Sequence, residues 1–270
     1  MSALLASLPM YNLPEMRPHN AAFWAAVRAE MAHAGENDLP IDLDFARPPV
    51  PSTIEPTVTF TQVCGYPLQT IFRGQAVLLG APVYTAEYCH GATHVGVFLV
   101  RDDSPYRRLE DLRGCRFVFN SIHSNSGMNL PRRALADIAG GRALFASVAE
   151  THSQPGNIER VAKGEADATC VDCVTFAFFR RHRPELGRRL RVLDTTPPSP
   201  SIPFVTSCAT PSRTVDRLRA ALQRVGKSPE WTSVRDGLML KDIVAPDPAA
   251  YARLLDYECE AAERGYPALR

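Results

Sequence analysis

The stretch that decides the fold is residues 116–139, RFVFNSIHSNSGMNLPRRALADIA. Its apolar start, Arg116–Phe119, indicates a β-strand, and a helical pattern begins at Leu130 after a run of small polar residues. A strand that turns directly into a helix brings the unpaired N–H groups of the helix N-terminus to one point. These features predict an anion site, with an ordinary cluster of N-caps as the alternative. The predicted site residues are Ser124, Asn125, Ser126 and Gly127.

Composition excludes several classes of protein. The chain has 270 residues, 45% of them hydrophobic, and a net charge of +1. This apolar content allows a sizeable core, and the balanced charge argues against nucleic acid as the main partner. No apolar run reaches the ~18 residues of a membrane span. The N-terminus, MSALLASLPMYNLPE, has no secretory signal, which leaves a cytoplasmic location open. We expect a monomer without a membrane span.

The seven cysteines do not form an obvious framework. Their odd number and their spacing argue against a set of disulfides. Cys170 and Cys173 form a CxxC, but no second pair accompanies it to complete a zinc site. The sequence favours buried thiols, and we expect neither a metal nor a cofactor.

Short apolar strands alternate with helical patterns, which predicts an α/β fold. The predicted strands are Ala3–Pro9, Val58–Val63, Val77–Pro82, His94–Val100, Arg116–Asn120, Ala168–Val171, Arg191–Leu193 and Phe204–Cys208. The predicted helices are His19–Ala34, Leu130–Ile138, Gly156–Lys163, Val174–Arg181, Thr214–Gly226 and Pro248–Glu263. Residues 37–56 are rich in proline and acids, and we expect them to form a loop.

Two segments are candidate connections between lobes. His94–Val100 is β-rich and precedes a Ser-Pro turn, and residues 194–203, DTTPPSPSIP, are held extended by four prolines. If the chain crosses between lobes at both, residues 99–199 form an inserted lobe, and residues 1–98 and 200–270 form the other. A ligand cleft is then expected between the lobes.

Four segments together resemble a known family. Residues 92–120, the Ser-Gly loop, residues 156–176 and residues 196–207 are similar to the phosphate, phosphite and phosphonate-binding proteins of ABC transporters. The resemblance implies a type II periplasmic-binding-protein fold, with two crossing hinge segments and an interlobe cleft. It also implies a periplasmic location, an ABC permease as partner and a small oxyanion as ligand.

The resemblance also implies ligand residues. The family's S-x-S-G anion loop matches Ser124-Asn125-Ser126-Gly127. Its T-G-S-H motif falls on residues 151–154, THSQ, which places Ser153 and Gln154 at the ligand. Here the chain departs from the family, because Gln154 stands at the histidine position and His152 at the glycine position. Gln donates a neutral hydrogen bond but brings no positive charge.

Three further residues are candidate contacts for the organic part of the ligand. Asp172 matches an acid of the family's A-x-D motif, and it either faces the ligand or N-caps the following helix. Tyr11 and Tyr66 stand where the first lobe meets the cleft in this fold. Their rings either pack on the ligand or belong to ordinary half-buried tyrosines.

Three functions compete at this point. The first is a solute-binding protein that captures a phosphonate, phosphate or related oxyanion without chemistry. The second is a cytosolic enzyme of the same fold, similar to menaquinone-pathway enzymes, for which His123, His152 and Asp172 are the nearby acid–base candidates. The third is a cytosolic ligand sensor. The sequence favours the first and predicts no catalytic residue.

Overall fold

The structure is a computed structural model that describes residues 3–270, so the first two residues of the predicted first lobe lie outside it. The chain forms two compact units. The first contains residues 3–85, Cys89–Thr93 and Pro200–Tyr251, and the second contains Ala86–Tyr88, His94–Ser199 and Ala252–Arg270. The boundaries at 93/94 and 199/200 fall within two short strands, β4 (Thr93–His94) and β10 (Ser199–Pro200).

The first unit is built on a five-stranded mixed sheet. Its strands lie in the order β1-β2-β11-β3-β12. They span Leu5–Ala6 (β1), Val58–Gln62 (β2), Ala76–Tyr84 (β3), Phe204–Ser207 (β11) and Leu240–Val244 (β12). Its helices are Arg17–His33 (α1), Gly65–Gln69 (α2), Ser212–Lys227 (α7), Thr232–Gly237 (α8) and Pro248–Ala252 (α9). The rings of Phe23, Phe60 and Phe204, with centroids 5.2–6.5 Å apart, pack together in its core.

The second unit has its own five-stranded sheet, in the order β7-β6-β8-β5-β9. The strands span Gly96–Arg101 (β5), Arg116–Phe119 (β6), Ser147–Glu150 (β7), Ala168–Asp172 (β8) and Leu190–Thr195 (β9). The helices are Leu130–Ala139 (α3), Gln154–Ala162 (α4), Cys173–His182 (α5), Pro184–Gly187 (α6) and Leu254–Glu263 (α10). Strands β6, β7 and β8 are parallel, whereas β5 is antiparallel to β8. This topology brings the carboxyl ends of three strands and the amino end of β5 to one edge of the sheet.

The predicted α/β class and most predicted elements are confirmed, and residues 37–56 contain no helix or strand. Two predicted elements are divided. The strand expected at His94–Val100 is interrupted at Val95, and the helix expected at Pro248–Glu263 is interrupted at Arg253. Helices α2, α6 and α8 and strands β7 and β12 were not predicted.

The predicted lobes differ from the observed units at three places. Ala86–Tyr88 and residues 94–98 were expected in the first lobe, but they lie in the second unit. Residues 252–270 were expected in the first lobe, but they belong to the second unit. Ala261, Tyr266 and Leu269 are buried in the apolar core of that unit. In addition, the Leu144 amide donates to the Arg270 carbonyl at 2.6 Å. This segment therefore completes the core of the second unit.

Two absences bear on the sequence predictions. Among residues 3–270, no helix is long and apolar enough to cross a membrane. Within the same range, no group of three or more His, Cys, Asp and Glu side chains is arranged to hold a metal ion. Cys170 and Cys173 are both buried and neither forms a disulfide, and burial raises the pKa of Cys170 well above its usual value.

Candidate functional site

The candidate site lies at one edge of the second unit's sheet. Ser124–Gly127 follow β6, Gln154 follows β7, Asp172 ends β8, and His94 precedes β5. In open α/β sheets, ligands bind outside the carboxyl ends of the strands. The topology therefore brings the four segments together although they are widely separated in the sequence.

The segment after β6 begins a helix with a π-helical turn, Asn125–Asn129, that continues directly into α3. Ser124 is its N-cap, and the hydroxyl accepts a hydrogen bond from Gly127 N at 3.0 Å. The first helical hydrogen bond runs from Asn129 N to Ser124 O, so the amides of Asn125 and Ser126 have no intrahelical acceptor. Ser124, Asn125 and Ser126 are all buried. The N-cap interpretation of Ser124 is confirmed, and the role of the loop as an anion site stays a prediction.

The Asn125 side chain has a structural role. Its Nδ2 donates to Ser199 Oγ at 2.7 Å, and its Oδ1 accepts from Asn129 Nδ2 at 3.1 Å. Asn129 Nδ2 also donates to Leu254 O at 2.9 Å, and Asn129 Oδ1 accepts from Arg132 Nη2 at 2.8 Å. This buried polar ladder, Ser199–Asn125–Asn129–Arg132, fixes the loop against the C-terminal segment.

Position 127 must be glycine because the Asn120 side chain packs directly against its α-carbon. A β-carbon at this position would overlap Asn120 Oδ1 and would lie 3.0 Å from Ser124 Oγ. Asn120 Oδ1 is buried and has no hydrogen-bond partner within residues 3–270. The close approach that glycine permits in this structure is therefore that of Asn120 to the loop.

The segment after β7 brings Gln154, but not Ser153, to the loop. Gln154 Nε2 donates to Ser126 Oγ at 2.9 Å, and Gln154 Oε1 accepts from Asp172 N at 2.9 Å. Ser153 is exposed, and its hydroxyl caps α4 by accepting from Gly156 N at 3.1 Å. The His152 side chain is 79% exposed and lies 3.7 Å from Glu150. His152 has a φ of 62°, the left-handed region that favours glycine, which gives a physical reason for the glycine that the family motif carries there.

Asp172 acts as the N-cap of α5 and also as the partner of a buried histidine. Its Oδ1 accepts from Val174 N at 2.8 Å and from Thr175 N at 3.2 Å. Its Oδ2 is hydrogen-bonded to Nδ1 of His94. Both side chains are almost fully buried. Burial lowers the pKa of His94, but the charge and the hydrogen bond of Asp172 more than offset this, so the net shift is upward.

Tyr11 and Tyr66 lie in the first unit, unlike the other predicted site residues. Both are buried. The Tyr11 ring contacts Tyr84 edge-to-face, with centroids 5.6 Å apart, and Tyr66 lies in α2. Their predicted role at the ligand stays a prediction.

The comparison with protein families decides the identity of the chain. Residues 73–251 match the model of the phosphonate periplasmic substrate-binding proteins of ABC transporters. The chain belongs to this family. Members of the family bind a small molecule and work with a permease in transport, and the family is one of binding proteins, not enzymes. None of the curated proteins matches the chain.

Solved structures show the same fold at low sequence identity. The binding-protein component of an ABC phosphonate transporter from Pseudomonas aeruginosa has a TM-score of 0.74 and 14% identity, covering 97% of this chain and 88% of that one. The Xanthomonas citri protein XAC2383, solved with ATP, has a TM-score of 0.69 and 18% identity, covering 97% and 98%. PhnD1 from Prochlorococcus marinus, solved with methylphosphonate, has a TM-score of 0.59 and 15% identity, covering 89% and 84%. The predicted type II periplasmic-binding-protein fold is thereby confirmed.

Sequence reasoning missed His94 as a site residue. It precedes Asp172 by 78 residues, and the sequence placed it only at the start of a strand and of a candidate connection between the lobes. A usable signal is its place at the predicted start of an apolar strand that pairs with the Asp172 strand. A histidine at such a position needs a buried partner.

Proposed function

We propose that this protein binds a phosphonate or phosphate through its oxyanion group and delivers the ligand to an ABC permease. The observation that carries the proposal is the loop Ser124–Gly127, with amides ahead of the first helical hydrogen bond and a buried Ser126 hydroxyl. Anions bind at such helix N-termini because amide dipoles and unpaired N–H groups point at them. Gln154 Nε2 donates to Ser126 Oγ, which leaves the Ser126 O–H to donate to a ligand oxygen.

The test is isothermal titration of the purified protein with methylphosphonate, inorganic phosphate and ATP. Methylphosphonate and ATP are included because PhnD1 and the Xanthomonas protein were solved with them. Ser126→Ala is expected to weaken binding by about 1.5–3 kcal/mol, the scale of one hydrogen bond to a charged group. The matched control is Ser147→Ala, an exposed serine at the opposite end of β7. Equal affinities for wild type, S126A and S147A would place the anion elsewhere.

Transport and location are part of the same proposal. The family description supports a periplasmic protein that has a permease as its partner. Fractionation of cells that produce the full-length protein, with and without osmotic shock, tests the location. Retention in the cytoplasm after shock would favour the sensor alternative.

The enzyme alternative has one observation in its favour, the buried His94–Asp172 pair, because an aspartate that orients an imidazole is typical of general bases. However, within residues 3–270 no hydroxyl or thiol is hydrogen-bonded to His94 Nε2, where an activated nucleophile is expected. Phosphorus NMR of methylphosphonate incubated with the protein separates the two. Unchanged methylphosphonate supports binding, and release of phosphate would establish catalysis.

A further inference from the structure

The second unit contains a buried histidine with half of its hydrogen-bonding capacity unused. His94 is 1% exposed, and its Nδ1 is hydrogen-bonded to Asp172 Oδ2. Its other ring nitrogen, Nε2, is buried and has no hydrogen-bond partner among residues 3–270. An unsatisfied buried polar group is costly, so an atom of this kind needs a partner that the protein does not supply, such as an ordered water or a bound molecule.

His94 is connected to the predicted anion loop by hydrogen bonds. His94 is hydrogen-bonded to the Asp172 side chain, and the backbone amide of Asp172 donates to Gln154 Oε1 at 2.9 Å. Gln154 Nε2 in turn donates to Ser126 Oγ, also at 2.9 Å. The packing agrees with this connection. Gly96, two residues after His94, pairs with Asp172 across the sheet, and a β-carbon on Gly96 would lie 3.1 Å from Ser126 O.

The charges around the pair favour a protonated imidazole. The titratable groups that act on His94 are Asp172 and Cys173, and Cys170 lies close to Asp172. Burial lowers the pKa of His94, but the charge and the hydrogen bond of Asp172 raise it by a larger amount, so the net shift is upward. In the imidazolium both nitrogens are donors, and Nε2–H then needs an acceptor.

Among residues 3–270, the other polar side chains near the loop Ser124–Gly127 supply no cation to it. Gln154, at the family's histidine position, is neutral, and both ends of its amide are occupied by Asp172 N and Ser126 Oγ. His152 is exposed and turned to Glu150. The Arg132 guanidinium bonds to Asn129 and Pro267 and lies 3.3 Å from Glu258.

We propose that His94 Nε2 donates a hydrogen bond to an oxygen of the bound anion and so supplies the cation that Gln154 lacks. The inference rests on the proposed function and adds a specificity-determining residue to it. Asp172 holds the ring and balances its charge, so the pair together is neutral. The ligand chemistry that fits is an oxyanion that accepts one charge-assisted hydrogen bond in addition to those of the loop.

The test compares His94→Asn with wild type. Asparagine places an amide N–H near the position of Nδ1, so Asp172 keeps a donor while Nε2 is removed. Affinity for methylphosphonate and inorganic phosphate is measured by titration calorimetry between pH 5.5 and 8.5, in buffers of different ionisation enthalpy to count protons. His33→Asn, an exposed histidine on α1, is the matched control.

The expected result is that H94N weakens binding about 10- to 100-fold at pH 6, and that H33N does not. Because the pKa of His94 is raised, its contribution is complete below about pH 6.5 and is lost as the pH rises through the folded value. The wild type should therefore take up protons on binding in the upper part of the range, beyond those of the ligand itself, and H94N should not.

A second measurement applies even if H94N does not fold. Nitrogen-15 NMR of the wild-type histidines should show the His94 Nε2 resonance shifting when methylphosphonate or phosphate is added. The proposal would be overturned if H94N binds like wild type, or if the Nε2 chemical shift does not change when the ligand binds. Either result would leave the proposed function standing. A wild type that binds neither probe would refute both.

Discussion

The buried polar ladder gives the sharpest test of how the loop is held, through the substitution Asn129→Leu. Leucine has the same branching and the same number of side-chain heavy atoms but removes three hydrogen bonds, to Asn125 Oδ1, Leu254 O and Arg132 Nη2. Asn125 and Asn129 are completely buried, so water does not replace the lost partners. Arg132 keeps its bond to Pro267 O, which limits its share of the loss.

The expected cost follows from the groups left unpaired. At about 1–3 kcal/mol for each buried unsatisfied group, the loss is roughly 3–6 kcal/mol. This is a large fraction of the roughly 5–15 kcal/mol that stabilises a typical domain. Opening of α3 and α10 should therefore become at least about a hundredfold more frequent, since ~1.4 kcal/mol corresponds to a factor of ten.

Hydrogen–deuterium exchange read by mass spectrometry is the assay, because it reports each segment separately. Peptides from residues 125–139 and 252–266 should exchange much faster in N129L, whereas peptides of the first unit's β2 and β11 should not change. Asn37→Leu, at an exposed position, is the control. Exchange of both segments within about threefold of wild type would refute the reasoning, because it would mean that the ladder contributes less than ~1 kcal/mol.

Two further predictions concern single backbone positions. His152→Gly should raise the free energy of unfolding by about 1 kcal/mol, because a φ of 62° is disfavoured for a residue with a β-carbon and the exposed His152–Glu150 pair contributes little. A lower midpoint of urea unfolding or a lower melting temperature would contradict this. Gly127→Ala should displace Asn120 and weaken methylphosphonate binding, and titration of the double variant with Asn120→Ser should recover part of the loss; a single variant that binds like wild type would show that the loop adapts freely.

The strongly patterned parts of the chain were predictable from sequence. The helix α3 after the Ser-Gly loop and the strand β8 both follow from local hydrophobic pattern and caps. Strand β7 was missed because three of its four residues are exposed, so it shows no buried pattern. The π-helical turn was missed because no local signal distinguishes it from the first turn of an α-helix.

Long-range relations were not predictable in the same way. The loop Ser124–Gly127 and Gln154 are local features, and the structure brings Gln154 to Ser126. His94 and Asp172 are 78 residues apart, and their pairing depends on the antiparallel register of β5 and β8. The place of residues 252–270 in the second unit likewise depends on apolar contacts of Tyr266 and Leu269 that no periodicity reveals. The sequence therefore indicates which groups are present, and the topology determines which of them meet.

The origin of the second unit's last segment has a consequence for biosynthesis. The ribosome adds residues at roughly 5–20 per second, so the ~50 residues between Ser199 and Ala252 take several seconds to follow the strands of the second sheet. During that interval Asn129 has no Leu254 carbonyl to bond, and the core lacks Tyr266 and Leu269. The loop Ser124–Gly127 thus gains its final support only near the end of translation, and a nascent chain arrested before residue 252 should hold this loop less rigidly.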